Sequence, residues 1–189
     1  MHSIFTKRLL VAALAAVLCF SLTGCGKEAA QADEGVQDDE KTFCAAGGEI
    51  IWPEGLLVPG EKNTMVKDLV DGTLAGAFSL TNYRSTGYYY TSGDSLTITV
   101  NAELDTVTKY TDACFSLWER GDNYSEYLGA IYFKCDGTAQ SYTWSGLKPN
   151  TEYKVNFTYT TIPTYLMSGT FNVDGFSSEA AEDTTVVAE

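Results

Sequence analysis

The stretch Ser95–Leu104, SLTITVNAEL, alternates apolar and polar side chains, with Leu96, Ile98, Val100 and Ala102 sharing one side. Successive strand residues point to opposite faces, so a period of two reads as a strand with one face in a core and the other toward water. Working outward, residues 115–119, 128–134, 139–144, 153–160 and 169–173 behave in the same way, and 78–90 supplies one or two more strands. Gly, Asn, Asp and Ser interrupt these runs about every ten residues. No long stretch has helical periodicity; residues 64–70 form a short turn of helix at best. Many short strands with evenly spaced turns predict an all-β sandwich over residues 42–176.

Within that span, Ser145-Gly146-Leu147-Lys148-Pro149-Asn150-Thr151-Glu152-Tyr153-Lys154-Val155 resembles the corner between the fifth and sixth strands of fibronectin type III and related immunoglobulin-like domains. The resemblance implies that Pro149 and Asn150 make the turn, Leu147 packs inward, and the Tyr153 hydroxyl reaches back to upstream backbone. It speaks to fold and not to activity. In one respect the chain departs from those domains: the tryptophan they carry on their second strand has no counterpart in Ser95–Leu104. The expectation is therefore an immunoglobulin/fibronectin III-like β-sandwich, with a jelly-roll sandwich as the alternative.

The ends read differently. A basic start with Lys7 and Arg8 leads into an apolar run over residues 9–20 and then Leu22-Thr23-Gly24-Cys25. The run falls short of the roughly 20 apolar residues that span a bilayer, so it reads as a removable signal. The four residues resemble the lipobox of bacterial lipoproteins. That resemblance implies cleavage after residue 24, a diacylglyceryl group on the Cys25 sulfur, and an extracytoplasmic chain anchored to a bacterial membrane. One acyl chain, at about 0.8 kcal/mol per buried methylene, binds marginally, whereas two or three hold firmly. Residues 25–41 then read as lipidated cysteine plus a disordered acidic tether, and 177–189 as a disordered acidic tail. About 20 such tether residues span roughly 25 Å.

The formal charge is −13, and removing residues 1–24, which hold two bases and no acid, makes it −15. Phosphate backbones and anionic headgroups repel such a chain, so nucleic acid is excluded as a partner and only the acyl chains on Cys25 engage the bilayer. Neutral glycans, cationic peptides and divalent cations stay compatible. His2 is the sole histidine and lies in the segment that would be removed. Histidine-activated nucleophiles and imidazole-dependent zinc or copper sites are excluded with it.

Cys44, Cys114 and Cys135 remain after the signal and the lipidated position. A hairpin closed by residues 121–126 would set Cys114 opposite Cys135, Ser116 opposite Phe133 and Trp118 opposite Ile131. That register predicts a Cys114–Cys135 disulfide, worth about 3 kcal/mol for a loop of this size. A catalytic thiol is disfavoured without a histidine.

Tyr88-Tyr89-Tyr90, with Tyr124, Tyr127 and Tyr165, is an unusual store of tyrosine. Alternation puts Tyr88 and Tyr90 on the face opposite Tyr89. Tyrosines commonly line cores and sheet edges, but exposed rings bind sugar faces or peptides, which makes Tyr88, Tyr90, Tyr124 and Tyr127 the ligand-binding candidates. Arg120-Gly121-Asp122 falls at a hairpin tip, the triplet displayed by integrin-binding fibronectin domains on another loop, and a turn rich in Gly, Asp and Asn produces it easily. Asp122, Asn123 and Glu126, or Asp136, offer oxygens to calcium without matching a recognised loop. No carboxylate pair stands out for glycan hydrolysis. The expected function is a non-catalytic binding module for glycan or protein ligands, without a cofactor beyond the covalent lipid. A structural subunit of an envelope complex and a carboxylate-dependent hydrolase are the alternatives.

Overall fold

Alternation becomes strand after strand in the computed structural model, which describes residues 41–159 and 165–180. In chain order these are β1 (Ala45–Ala46), β2 (Thr64–Val70), β3 (Thr73–Leu80), β4 (Tyr83–Ser85), β5 (Tyr89–Thr91), β6 (Ser95–Leu104), β7 (Asp112–Arg120), β8 (Ser125–Lys134), β9 (Asp136–Ser145), β10 (Glu152–Tyr159), β11 (Met167–Asp174) and β12 (Phe176–Ser177). One sheet runs β1-β9-β6-β11-β3-β2 and the other β12-β5-β10-β7-β8, with β4 also on β10. Pairing between the named strands is antiparallel throughout. The lipobox with Cys25, residues 26–40 of the tether and 181–189 of the tail lie outside the described residues. Lys41, assigned to the tether from sequence, stands 3.8 Å from Asp112 on β7.

The all-β sandwich expected from sequence is present, and its strand order decides between the two topologies left open. Apart from the β7–β8 hairpin, successive strands from β5 to β11 change sheet at every connection, which gives β3-β11-β6-β9 facing β5-β10-β7-β8. That is the double Greek key of a jelly roll, not the order of an immunoglobulin or fibronectin III domain. The corner that suggested the latter is nonetheless real. Leu147 is buried, Asn150 sits at φ 57°, and the Tyr153 hydroxyl accepts a hydrogen bond from the Lys148 backbone N–H at 3.0 Å. Such a corner carries a strand from one sheet to the other, here from β9 to β10, and either topology needs that step.

The core fills the space between the sheets. Phe78, Phe157 and Phe171 form its centre, with ring centroids 5.0 Å (78–157) and 4.7 Å (157–171) apart. All three are fully buried, each contributing on the order of 1.5–3 kcal/mol. Gly169 on β11 lies under the Phe78 ring, where a Cβ would stand 2.8 Å from Cζ. A larger residue there would push the aromatic centre apart.

Residues 64–70, expected to be at most helical, form β2 instead. Asp71-Gly72, at φ 50° and 83°, closes a two-residue hairpin onto β3, and Met65 and Leu69 pair with Phe78 and Leu74. The hairpin register is also corrected. Cys114 pairs with Tyr132, Ser116 with Ala130 and Trp118 with Tyr127. The predicted Cys114–Cys135 disulfide is absent, because β8 ends at Lys134 and Cys135 begins the passage to β9. All three cysteines carry free thiols, and the Cys135 thiol donates to the Met167 sulfur at 3.2 Å. Burial pushes Cys44 and Cys135 up to about 12 and Cys114 to about 11, so these thiols stay protonated and unreactive near neutrality.

Candidate functional site

Strand β10 is central to the second sheet and alternates without a break. Tyr153, Val155, Phe157 and Tyr159 are buried in the core, so Glu152, Lys154, Asn156 and Thr158 point outward and are half-buried. Cross-strand register arranges the outward side chains of that sheet in rows. Tyr90 pairs with Glu152. Lys154 pairs with Trp118, which pairs with Tyr127. Next come Ser85, Asn156, Ser116 and Ala130, then Tyr83, Thr158, Cys114 and Tyr132. Alternate rows lie about 7 Å apart along the strands.

The Lys154 row is built of large groups. Tyr88, just before β5, completes it, because its ring lies 4.8 Å from the Lys154 ammonium. Trp118 lies 5.7 Å from the same ammonium, and its ring centroid is 5.1 Å from that of Tyr127. A β-bulge between Leu117 and Trp118 produces this last contact: the register slips by one, so Tyr127 takes the place opposite Trp118 that Leu128 would otherwise hold. The Trp118 indole N–H donates to Ser116 Oγ at 2.9 Å, which fixes the tilt of the ring.

Charges are placed around these rings. Arg120 lies over Tyr88 at 4.7 Å and donates twice to Glu152, at 2.6 and 2.7 Å. That hydrogen bond, with the charge of Glu152, raises the guanidinium pKa further. Lys154 donates to Ser125 Oγ at 3.3 Å, and the Tyr88 hydroxyl shares the same oxygen. In the neighbouring row, Asn156 Oδ1 is buried without a hydrogen-bond partner. At the far end, Lys134 pairs with Asp112 and stands over the Phe43 ring, while Lys41 stands over Tyr132.

Three of the four tyrosines singled out from sequence meet on this face. Tyr88 and Tyr90 face outward, while Tyr89 turns in to stack on Phe176 at 5.3 Å. Tyr127 stands 53% exposed beside Trp118. Tyr124 does not join them: it caps the tip of the β7–β8 hairpin over Gly121, 67% exposed. Tyr165 packs near Tyr159 instead. The Arg120-Gly121-Asp122 triplet is at the hairpin tip as expected, with its arginine bound to Glu152. The Asp136 carboxylate accepts from the Thr138 backbone and hydroxyl at 3.0 and 2.6 Å, which lowers its pKa. Among the described residues no three His, Cys, Asp or Glu side chains gather as a metal site.

Sequence reasoning passed over Trp118 and Lys154. The signal was present in the alternation itself, since buried Leu117 and Tyr153 force their neighbours outward. The incorrect hairpin register had instead set Trp118 against inward-facing Ile131.

No family model matches the sequence, and no curated protein matches it. Among solved structures, the chain is similar to the N-terminal cellulose-binding domain of Cellulomonas fimi beta-1,4-glucanase C, at 11% identity and a TM-score of 0.35, over 61% of this chain and 84% of that one. It is also similar to a chain described as "CBM4 structure and function", at 14% identity and a TM-score of 0.27, over 61% and 76%. At these values the likeness carries no ligand over to this chain.

Proposed function

We propose that this chain is a non-catalytic glycan-binding module whose binding surface is the outer face of β10, β7 and β8. The observation that carries the reading is the row Tyr88, Lys154, Trp118 and Tyr127: Lys154, Trp118 and Tyr127 in cross-strand register on one outward face, with the Tyr88 ring against the ammonium. Sugar rings present C–H faces that pack on aromatic planes and hydroxyls that need polar partners. Both are supplied here, by the rings and by Ser116, Ser125, Glu152 and Arg120 around them. In this reading Cys25 bears the lipid that holds the module outside a bacterial cytoplasmic membrane, and the acidic residues after it form the tether.

The test is calorimetric titration of the full chain with a panel of soluble oligosaccharides, with Trp118→Ala in parallel. Binding that Trp118→Ala removes supports the reading. No binding to any glycan, together with stable capture of a partner protein, overturns it in favour of a structural subunit. For the anchor, Cys25→Ser is expected to move the chain from the membrane fraction to the soluble fraction. Unchanged membrane association would refute lipidation at that position.

A further inference from the structure

The charges on the aromatic face run against those of the whole chain. The formal charge is −13, yet the side chains pointing outward from this sheet, with Lys41 at its edge, include four cations (Lys41, Arg120, Lys134, Lys154) and two carboxylates (Asp112, Glu152). Three of those cations are committed. Arg120 is held twice by Glu152, and Lys41 and Lys134 share Asp112. Lys154 has no carboxylate partner among the described residues; its contacts are Ser125 Oγ and the faces of Tyr88 and Trp118. Glu152, the nearest acid on its own strand, is the one taken by Arg120. The chain thus keeps a positive charge without a carboxylate partner in the middle of its most aromatic row, half-buried, with rings 4.8 and 5.7 Å from the ammonium.

We infer that Lys154 is an anion subsite and that the glycan bound here carries an acidic group, a uronate carboxylate or a sulfate ester, next to the ring that stacks on Trp118. This rests on the glycan reading above and adds the substrate class. Register supports the placement. Lys154 and Trp118 are directly paired on neighbouring strands, and the ammonium stands 5.7 Å from the indole centroid. That is close to the reach of an exocyclic acidic group from the centre of a pyranose ring, so one sugar can cover the indole and present its anion to the ammonium. A neutral sugar would use the lysine only as a hydrogen-bond donor and leave its charge unanswered.

The experiment titrates the full chain with oligomers of galacturonate, mannuronate and glucuronate, each against its carboxyl-reduced neutral counterpart, and with a sulfated and an unsulfated galactan oligomer. At low ionic strength at least one acidic member is expected to bind about tenfold more tightly than its neutral match. That ratio should shrink as salt rises. Lys154→Met, which keeps the apolar stem, should bring the ratio to about one, and Lys154→Arg should restore it. Should Lys154→Met fail to fold, the salt dependence of the ratio in the unmutated chain decides. Preference confined to the sulfated member identifies the anion as a sulfate ester. Neutral members binding as well as acidic ones, or a preference that survives Lys154→Met, overturns the anion subsite and leaves the glycan reading standing. Binding by no member overturns both.

Discussion

The two outward faces of the sandwich are made of the same kind of strand and end in opposite conditions. On the face of β3, β11, β6 and β9 the outward residues at its middle are short, Ala75, Ala77, Thr97, Thr99, Ser141, Thr143, Ser168, Thr170 and Asn172, with Glu103 at its end. Residues between β1 and β2 cross it. Asn172 accepts from the Ile51 N–H at 2.5 Å and donates to its carbonyl at 2.9 Å, and Gly47 accepts from Ser141 Oγ at 2.8 Å. Gly48 approaches so closely that a Cβ would meet Thr99 at 2.7 Å. Ala75 and Ala77 retain 2% and 0% of their exposure. The opposite face carries rings and long cations that remain half-exposed, and among the described residues only the start of the chain at its Phe43 edge lies alongside it. Side-chain height decides the difference: a floor of Ala, Ser and Thr lets backbone lie on the sheet, whereas Trp118 and Tyr127 hold it off. The first face is used for stability, and the second is the one proposed to bind glycan.

That division can be broken experimentally. The largest effect is expected from Trp118→Ala, which should weaken glycan binding by thirtyfold or more, about 2 kcal/mol or above, while thermal unfolding shifts little. If Thr99→Ala on the strapped face weakened binding equally, the assignment of roles would be wrong. Next is Asn172→Ala, which strands two backbone groups of the strap and should cost about 1–3 kcal/mol in denaturant unfolding. Limited proteolysis should then cut within residues 47–63, and glycan affinity should hold. Tyr153→Phe, which removes the partner of the Lys148 N–H at the crossing between the sheets, should cost about 1 kcal/mol and touch neither face. Tyr124→Ala, at the hairpin tip beyond the rows, should change stability by less than about 0.5 kcal/mol and binding less than threefold. A larger loss of binding would extend the site to the tip.

Much of this contrast was legible in the sequence, because alternation reports burial directly. The strands expected at 115–119 and, as far as the described residues reach, from 153 to 159 are present, and Tyr88 and Tyr90 face opposite Tyr89 as alternation requires. What failed was non-local. The Asp71-Gly72 turn carries the strongest short hairpin signal in this part of the chain, yet β2 was missed because its apolar positions, Met65 and Leu69, lie four apart and imitate a helical face. Strand order was misjudged because a tyrosine corner reports one local crossing and is silent on how eight strands interleave. The Cys114–Cys135 pairing fails because the true loop is shorter: the Gly121 N–H donates to the Tyr124 carbonyl at 2.9 Å and closes a tight return. That shift gives Trp118 the cross-strand neighbour Tyr127 in place of Ile131.

The irregularity between Leu117 and Trp118 has an evolutionary consequence. Because one supernumerary residue determines that a tyrosine rather than a leucine stands beside the tryptophan, the surface is encoded by spacing as much as by identity. An insertion between Tyr127 and Gly129, with one residue still bulged, would move Tyr127 away from Trp118 in one genetic step, with every codon for an aromatic residue intact. Descendants of this chain could then keep all their rings and differ in what they hold. Counting residues from Arg120 to Gly129 would separate such lineages where scoring substitutions would not.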